Sequence, residues 1–284
     1  MLIKSKKKFW LASGTAPYCG AAAPDAAATT AFLVRADAIT TVGATERTMY
    51  RNLINGLVSD SGGLWAKLDA LYFLATDTAA HALLNLKSTS FNATAVGSPT
   101  FTADQGYAGT DASAVKYLDS GFNPATAGGA YTQNSAHVLV WSNTNAQSTS
   151  SGGGAIGVAS TSSTNVTEIY PRYPTNTFYA RINDGAGSSG VANNDSTGLF
   201  VATRSGASAQ NGYKNAVDQG ITPVASGALP STNIAIIGFN MVTGGHNSGS
   251  ALQYSAASIG GSLTATNVTN LYALLGAART AVGL

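Results

Sequence analysis

The chain has little charge. Of its 284 residues only 10% are Asp, Glu, Lys or Arg, against roughly 25% in an ordinary soluble domain. Small neutral residues take their place: 32 glycines, with many Ser, Thr, Asn and Ala. Such a surface suits tight packing between subunits, or contact with sugars and water, and does little to keep a lone monomer dispersed. The formal net charge is +2, and Lys4, Lys6, Lys7 and Lys8 alone supply four positive charges, which leaves the remainder at −2. The body of the chain therefore lacks the field of a nucleic-acid binder. The lysine-rich start reads as a solvated tail or docking arm.

Cysteine is nearly absent. Cys19 stands alone, which excludes an intrachain disulfide. No apolar run approaches the ~20 residues of a membrane-spanning helix. Lys6-Lys7-Lys8-Phe9-Trp10-Leu11-Ala12 imitates the start of a secretion signal. Ser13-Gly14-Thr15 and Pro17 break it at once, so it is read as something else. Pro17-Tyr18-Cys19 is also a poor lipid-attachment context. Glutamate is scarce as well: Glu46 and Glu168 are the two in the chain.

What is present is a β pattern framed by helices. Residues 1–30 form an N-terminal arm that cannot build a core alone and needs a neighbour to order it. Residues 31–80 are a helical segment. Thr45 can cap, Glu46 suits the first turn, and Met49, Leu53, Leu57 and Val58 recur at helical spacing. Ser59-Asp60-Ser61-Gly62-Gly63 is a turn. A second helix is expected through Leu64, Trp65, Leu68, Leu71 and Tyr72, with a strand at Tyr72-Phe73-Leu74 as the alternative. The pair makes a helical hairpin capping one edge of the domain.

Residues 81–284 are β-rich. His137-Val138-Leu139-Val140-Trp141-Ser142, Val166 to Tyr170, Thr177 to Ile182, Gly198 to Arg204, Asn233 to Asn240 and Leu252 to Gly260 read as strands. Ser/Asn/Gly/Pro clusters separate them, and strands every 8–12 residues mark a sandwich or barrel. Asn211 to Gly220 is a short strand pair with a polar turn. Thr264 caps a closing helix whose apolar stripe is Val268, Leu271, Leu274, Leu275 and Ala278.

The order of several short motifs then becomes informative. Leu68-Asp69-Ala70-Leu71-Tyr72 leads to Ala82-Leu83-Leu84-Asn85-Leu86. Pro99 to Tyr107 is followed by Lys116-Tyr117-Leu118-Asp119-Ser120. Ile259-Gly260-Gly261-Ser262-Leu263-Thr264 precedes Leu271-Tyr272-Ala273-Leu274-Leu275. Together they resemble the concanavalin A-like (laminin-G-like) β-sandwich proteins of bacteriophage virions, of the tail-fibre type. The resemblance covers about Phe32 to Leu284. It implies a mainly β, jelly-roll sandwich with an N-terminal helical hairpin and a C-terminal helix. It further implies a virion structural protein, of tail-fibre or capsid-decoration type, made in a bacterial cytoplasm and carried in the particle. Its partners would be itself, as a homotrimer, and other virion proteins docked through Lys4, Lys6, Lys7, Lys8, Phe9 and Trp10. A membrane or nucleic-acid partner is not expected. The alternative is a free lectin or adhesion module.

The resemblance also raises chemistry, since concanavalin A-like folds include sugar hydrolases. Retaining hydrolysis needs an acid and a nucleophile about 5–5.5 Å apart. Glu46 falls in a predicted helix, and Glu168 has no acidic residue two or four positions on. His81, His137 and His246 lack metal-ligand spacing, with His137 on a strand and His246 in a loop. No Gly-x-Ser-x-Gly elbow joins a strand to a helix. The expectation is a chain that is not an enzyme and holds no cofactor. Related sandwiches bind calcium through loop carboxylates, which here would be Asp104, Asp111, Asp184 and Asp195.

Contact with host-surface glycans needs an aromatic platform beside amide hydrogen-bonding groups. Tyr170, Tyr173 and Tyr179 with Arg172 and Asn176 form the best such cluster, Pro171 and Pro174 stiffen it, and Trp141 would add stacking surface. The competing reading is that these rings fill the core or a subunit interface.

Overall fold

The computed structural model describes residues 25–110, 116–148, 154–161, 164–186, 190–243 and 245–284, with the backbone path alone for 245–248. The predicted docking residues Lys4, Lys6, Lys7, Lys8, Phe9 and Trp10 and the calcium candidate Asp111 lie outside the described residues.

Two helices come first, α1 (Ala27–Asp37) and α2 (Ala44–Ser59), followed by one helical turn, α3 (Leu64–Lys67), the strand β1 (Leu68–Phe73) and a second short turn, α4 (Ala79–Ala82). Four short strands follow: β2 (Thr94–Val96), β3 (Thr100–Thr102), β4 (Gly106–Ala108) and β5 (Tyr117–Asp119). The longer ones are β6 (Ala136–Ser142), β7 (Ile156–Ala159), β8 (Val166–Tyr173) and β9 (Thr177–Asp184). After the short β10 (Val191–Ala192) come β11 (Gly198–Gly206), β12 (Ala209–Lys214) and β13 (Val217–Asp218). The chain ends with β14 (Ala235–Ile236), β15 (Gly238–Met241), β16 (Gly245–Gly249), β17 (Gln253–Gly260) and the helix α5 (Ala265–Ala281).

Among the described residues the strands form two sheets. The first runs β13-β12-β11-β6-β17-β4-β3, with β1 paired to β17. The second runs β10-β9-β8-β7-β14-β5-β2, with β15 and β16 attached beside β7. Pairing is antiparallel except for β15 against β7. The result is the expected mainly β sandwich with helices at both ends of the sequence.

Two cores explain why the central strands of the first sheet are buried on both faces. Val138, Val140, Phe200, Ala202, Tyr254 and Ile259 of the first sheet meet Ile156, Ile169, Phe178, Ala180 and Ile182 of the second. Alternate residues of the same strands, Leu139, Trp141, Leu199 and Val201, face the other way and meet Phe32, Tyr50, Leu53, Leu271 and Leu275 of the helices. All seven residues of β6 are buried. A sheet covered on both faces reads as a continuous apolar run, not an alternating one. The molecule is therefore three layers deep: helices, first sheet, second sheet.

The helical hairpin is made by different segments from those expected. Its partner for α2 is α1, which begins at Ala27, inside the predicted arm. Asn55 of α2 fixes that start, since its Oδ1 accepts from the Ala26 N–H at 2.9 Å and the Thr29 hydroxyl at 2.6 Å. The stretch from Leu64 to Tyr72, expected as the second helix, turns only once and then becomes β1. Leu71 and Phe73 pack on the helices while Ala70 and Tyr72 enter the inter-sheet core, the period of two that a strand needs. The segment Asn233 to Asn240, expected as one strand, is broken between β14 and β15 at Ile237, which adopts φ 55°. His246 falls on β16 and not in a loop.

Buried polar side chains tie the layers together. His81 is fully buried, with Nδ1 3.1 Å from Asp77 Oδ1 and Nε2 near the carbonyls of Ala36 and Thr40 at 3.2 and 3.1 Å. His137, also fully buried, places Nδ1 2.6 Å from the Gly261 carbonyl and Nε2 2.9 Å from Ser258 Oγ. Burial drives the His137 imidazole down to about 4. α5 starts in a capping box, with Thr264 and Asn267 each bonding to the other's backbone N–H.

Candidate functional site

The face of the second sheet that turns away from the core carries the polar and aromatic side chains of β8 and β9. Register makes the arrangement. Glu168 sits opposite Arg181 and Tyr170 opposite Tyr179. Inward-facing Ile169, Phe178, Ala180 and Ile182 alternate with them. The register shifts between Tyr170 and Tyr173, so one extra residue is accommodated around Pro171 and Arg172. A bulge is where proline is tolerated in a sheet, and it re-aims the neighbouring side chain. The hairpin then turns through Pro174, Thr175 and Asn176, with the Asn176 N–H bonded to the Tyr173 carbonyl at 2.8 Å. Asn176 adopts φ 54°, the left-handed conformation that asparagine takes more readily than most residues.

The expected cluster is largely brought together. Tyr170 meets Tyr173 edge-on with ring centroids 5.4 Å apart, and Tyr173 meets Tyr179 edge-on at 5.2 Å. Tyr170 is buried at 3% exposure, while Tyr173 and Tyr179 are half-buried and Asn176 is exposed. Arg172 donates from Nε to Asn176 Oδ1 at 2.8 Å and from Nη1 to Asn145 Oδ1 at 3.3 Å. Gln147 Nε2 bonds the same Asn176 oxygen at 3.0 Å. A narrow notch of about 20 Å³ opens here, lined by Ala146, Gln147, Ser148, Tyr170, Pro171, Arg172 and 250–252. On the other side of Asn176 lies an open polar groove with Ala192, Asn193 and Asn194.

Trp141 is not part of this cluster. It belongs to the first sheet and faces the helices, where Tyr272 of α5 stacks on it and the Arg279 guanidinium lies 4.6 Å from its ring centre. Alternation along β6 decides this: Val140 points to the inter-sheet core, so Trp141 points away from it.

Two further residues extend the line of rings, and sequence reasoning did not place them there. The Arg181 guanidinium lies 4.7 Å from the centre of the Tyr179 ring, and its Nη1 is 2.8 Å from Glu168 Oε1. Burial raises the Glu168 carboxyl to about 7, with the Arg181 charge opposing the shift and the Asp184 charge adding to it. Asp184, expected in a loop, ends β9 and is fully buried. The signal for the Glu168–Arg181 pair was the matched alternation of β8 and β9, but the register that aligns them is not written in either strand.

Of the other calcium candidates, Asp195 is engaged by Thr197 and Lys214, and Asp104 takes a positive φ in a turn. Among the described residues no group of three or more His, Cys, Asp or Glu side chains comes together where a metal ion could be held.

No protein-family model matches the chain, and no curated protein matches it by sequence. Solved structures do resemble it in fold. A mutant of Trypanosoma rangeli sialidase displaying trans-sialidase activity superposes with a TM-score of 0.52 at 11% identity, over 84% of this chain and 39% of that one. Trypanosoma rangeli sialidase in complex with sialic acid gives 0.50 at 11% identity, over 80% and 38%. The chain thus spans about two fifths of the length of these sialidases. Domain 4 of AbnA, an extracellular arabinanase from Geobacillus stearothermophilus in complex with arabinotriose, scores 0.36 at 16% identity, over 72% and 98%, too low to carry an argument.

These likenesses correct one expectation. The chain was expected not to be an enzyme, from its two glutamates, its scattered histidines and the missing serine elbow, yet the solved structures that resemble it in fold include sialidases, which are enzymes. Sparse glutamate is thus no ground for placing this sandwich outside enzymes.

Proposed function

We propose that this chain is a glycan-contacting β-sandwich displayed on a bacteriophage particle. The observation that supports sugar contact is the exposed end of β8 and β9. Half-buried Tyr173 and Tyr179 offer ring surface beside Asn176, Gln147 and Arg172, whose amide and guanidinium groups are already oriented by one another. Flat aromatic surface next to fixed amide donors and acceptors is what a sugar ring needs, because its C–H face stacks and its hydroxyls hydrogen-bond. The polar groove at Asn193 and Asn194 continues the surface. Sandwiches of this shape occur in a sialidase complexed with sialic acid, which agrees with the reading.

Placement on a particle rests on the order of the sequence motifs and on the lysine-rich arm, Lys4 to Trp10. The arm would dock on other virion proteins, and the sandwich would assemble as a trimer that presents β8 and β9 to the host surface. The test is binding of the full chain to an immobilised glycan panel, with Tyr173→Ala as the site variant. Saturable binding lost in the variant supports the reading. Binding to no glycan removes it.

A further inference from the structure

The proposed sugar site contains a cation, Arg172, with no anionic partner among the described residues. Arg181, Arg47, Arg51 and Lys214 each pair with a carboxylate. Arg172 does not: among the described residues its partners are the amide oxygens of Asn176 and Asn145. Those two oxygens are anchored in turn. Asn176 Oδ1 also accepts from Gln147, and Asn145 Oδ1 also accepts from the Ser196 N–H at 3.2 Å. The guanidinium is therefore held in place by neutral groups, with no carboxylate among the described residues to neutralise it. None of the described residues lining the adjoining notch is acidic.

From this geometry we infer that the sugar recognised here is anionic, carrying a carboxylate or a sulfate. The inference rests on the glycan reading above and deepens it. Arginine presents donors in a planar fork that matches a carboxylate or sulfate, and a pre-oriented fork loses less freedom on binding. Nε and one Nη1 hydrogen are used internally, which leaves the end-on fork of Nη2 and the second Nη1 hydrogen to meet the ligand. The notch, at about 20 Å³, holds one small polar group and not a sugar ring. The ring would lie on the Tyr173 and Tyr179 surface while its charged substituent enters beside Arg172.

Titration calorimetry on the full chain tests this with trigalacturonic acid, its carboxyl-reduced neutral counterpart and a sulfated galactose trisaccharide. A charge-assisted hydrogen bond contributes roughly 1.5–3 kcal/mol, which converts to about a tenfold or greater preference for a charged sugar. That preference should collapse toward unity in Arg172→Gln and survive in part in Arg172→Lys, with the melting temperature of both variants near that of the parent. Which charged trisaccharide shows the preference identifies carboxylate or sulfate as the group. If the neutral counterpart binds as tightly as both charged sugars, or if Arg172→Gln keeps the preference, the inference is overturned while the glycan reading stands. If no sugar in a broad neutral and acidic panel binds, both fall together.

Discussion

Trp141 and Tyr272 stack face to face, with ring centroids 5.2 Å apart and planes within 5° of parallel. Arg279, two turns along α5 from Tyr272, also packs against the indole, and it bonds Ser255 Oγ at 3.0 Å and Asn143 Oδ1 at 3.1 Å. This contact fastens the closing helix to the first sheet. Trp141→Ala should cost about 3–5 kcal/mol of folding stability, the range for removing a large buried aromatic. Urea unfolding monitored by circular dichroism would measure it. Tyr272, at 36% exposure, should cost less, about 1 kcal/mol beyond its lost area.

The turn into β4 demands glycine. Gly106 has φ 101°, and a Cβ there would lie 2.0 Å from the Tyr254 carbonyl oxygen. The backbone of β17 supplies that oxygen and cannot swing aside as a side chain would. Gly106→Ala should lower the melting temperature by several degrees, since a loss of even 1 kcal/mol moves it by ~2–4 °C in a domain of this size. An unchanged melting temperature would mean that β4 and β17 are not in this register.

Stability should depend on pH in two opposing windows. His137 is held near 4 in the folded state, below its unfolded value of about 6.5. Between those values the unfolded chain binds more protons, so stability falls as pH drops from about 6.5 to 4. Glu168 is raised to about 7, above its unfolded value of about 4.3. Its contribution is complete below the unfolded value and is lost as pH rises toward 7. Glu168→Gln should therefore be penalised more at pH 5 than at pH 8 relative to the parent, and His137→Gln should flatten the acid limb. Chemical denaturation of the three proteins from pH 4 to 8 resolves the two limbs.

Much of the fold was legible because the pattern is strong where two layers meet. The uninterrupted apolar run from Val138 to Trp141 marks a strand covered on both faces, and Thr264 with the stripe Val268, Leu271, Leu275 marks α5. What was not legible depended on long-range contacts. Ala27 to Thr30 looks like a flexible leader until Asn55 caps it. Leu68 to Tyr72 satisfies a helical period as well as a strand period, and pairing with β17 decides it. In the site, Tyr170, Arg172, Tyr173, Asn176 and Tyr179 are close in sequence on one hairpin, so their proximity was readable. Trp141 was expected to add stacking surface to this cluster, but β6 belongs to the other sheet, and nothing local reveals which strands share a sheet. The pairing of Glu168 with Arg181 needed the register of β8 on β9.

Asn176 separates shape from chemistry at the site. Its φ of 54° suits glycine, so Asn176→Gly should preserve the hairpin while removing the amide that orients Arg172 and Gln147. Sugar affinity should fall by roughly tenfold, the effect of losing a charge-assisted contact, with little change in melting temperature. A large drop in melting temperature instead would show that the amide holds the hairpin and not the ligand.

The most direct test of the central claim is equilibrium binding of the full chain to neutral and acidic oligosaccharides, measured beside Tyr173→Ala. Saturable binding by the parent, lost in a variant that melts at the same temperature, is the predicted result. Absence of binding across the panel, or equal binding by the variant, would contradict the assignment of sugar contact to the Tyr173–Asn176 surface.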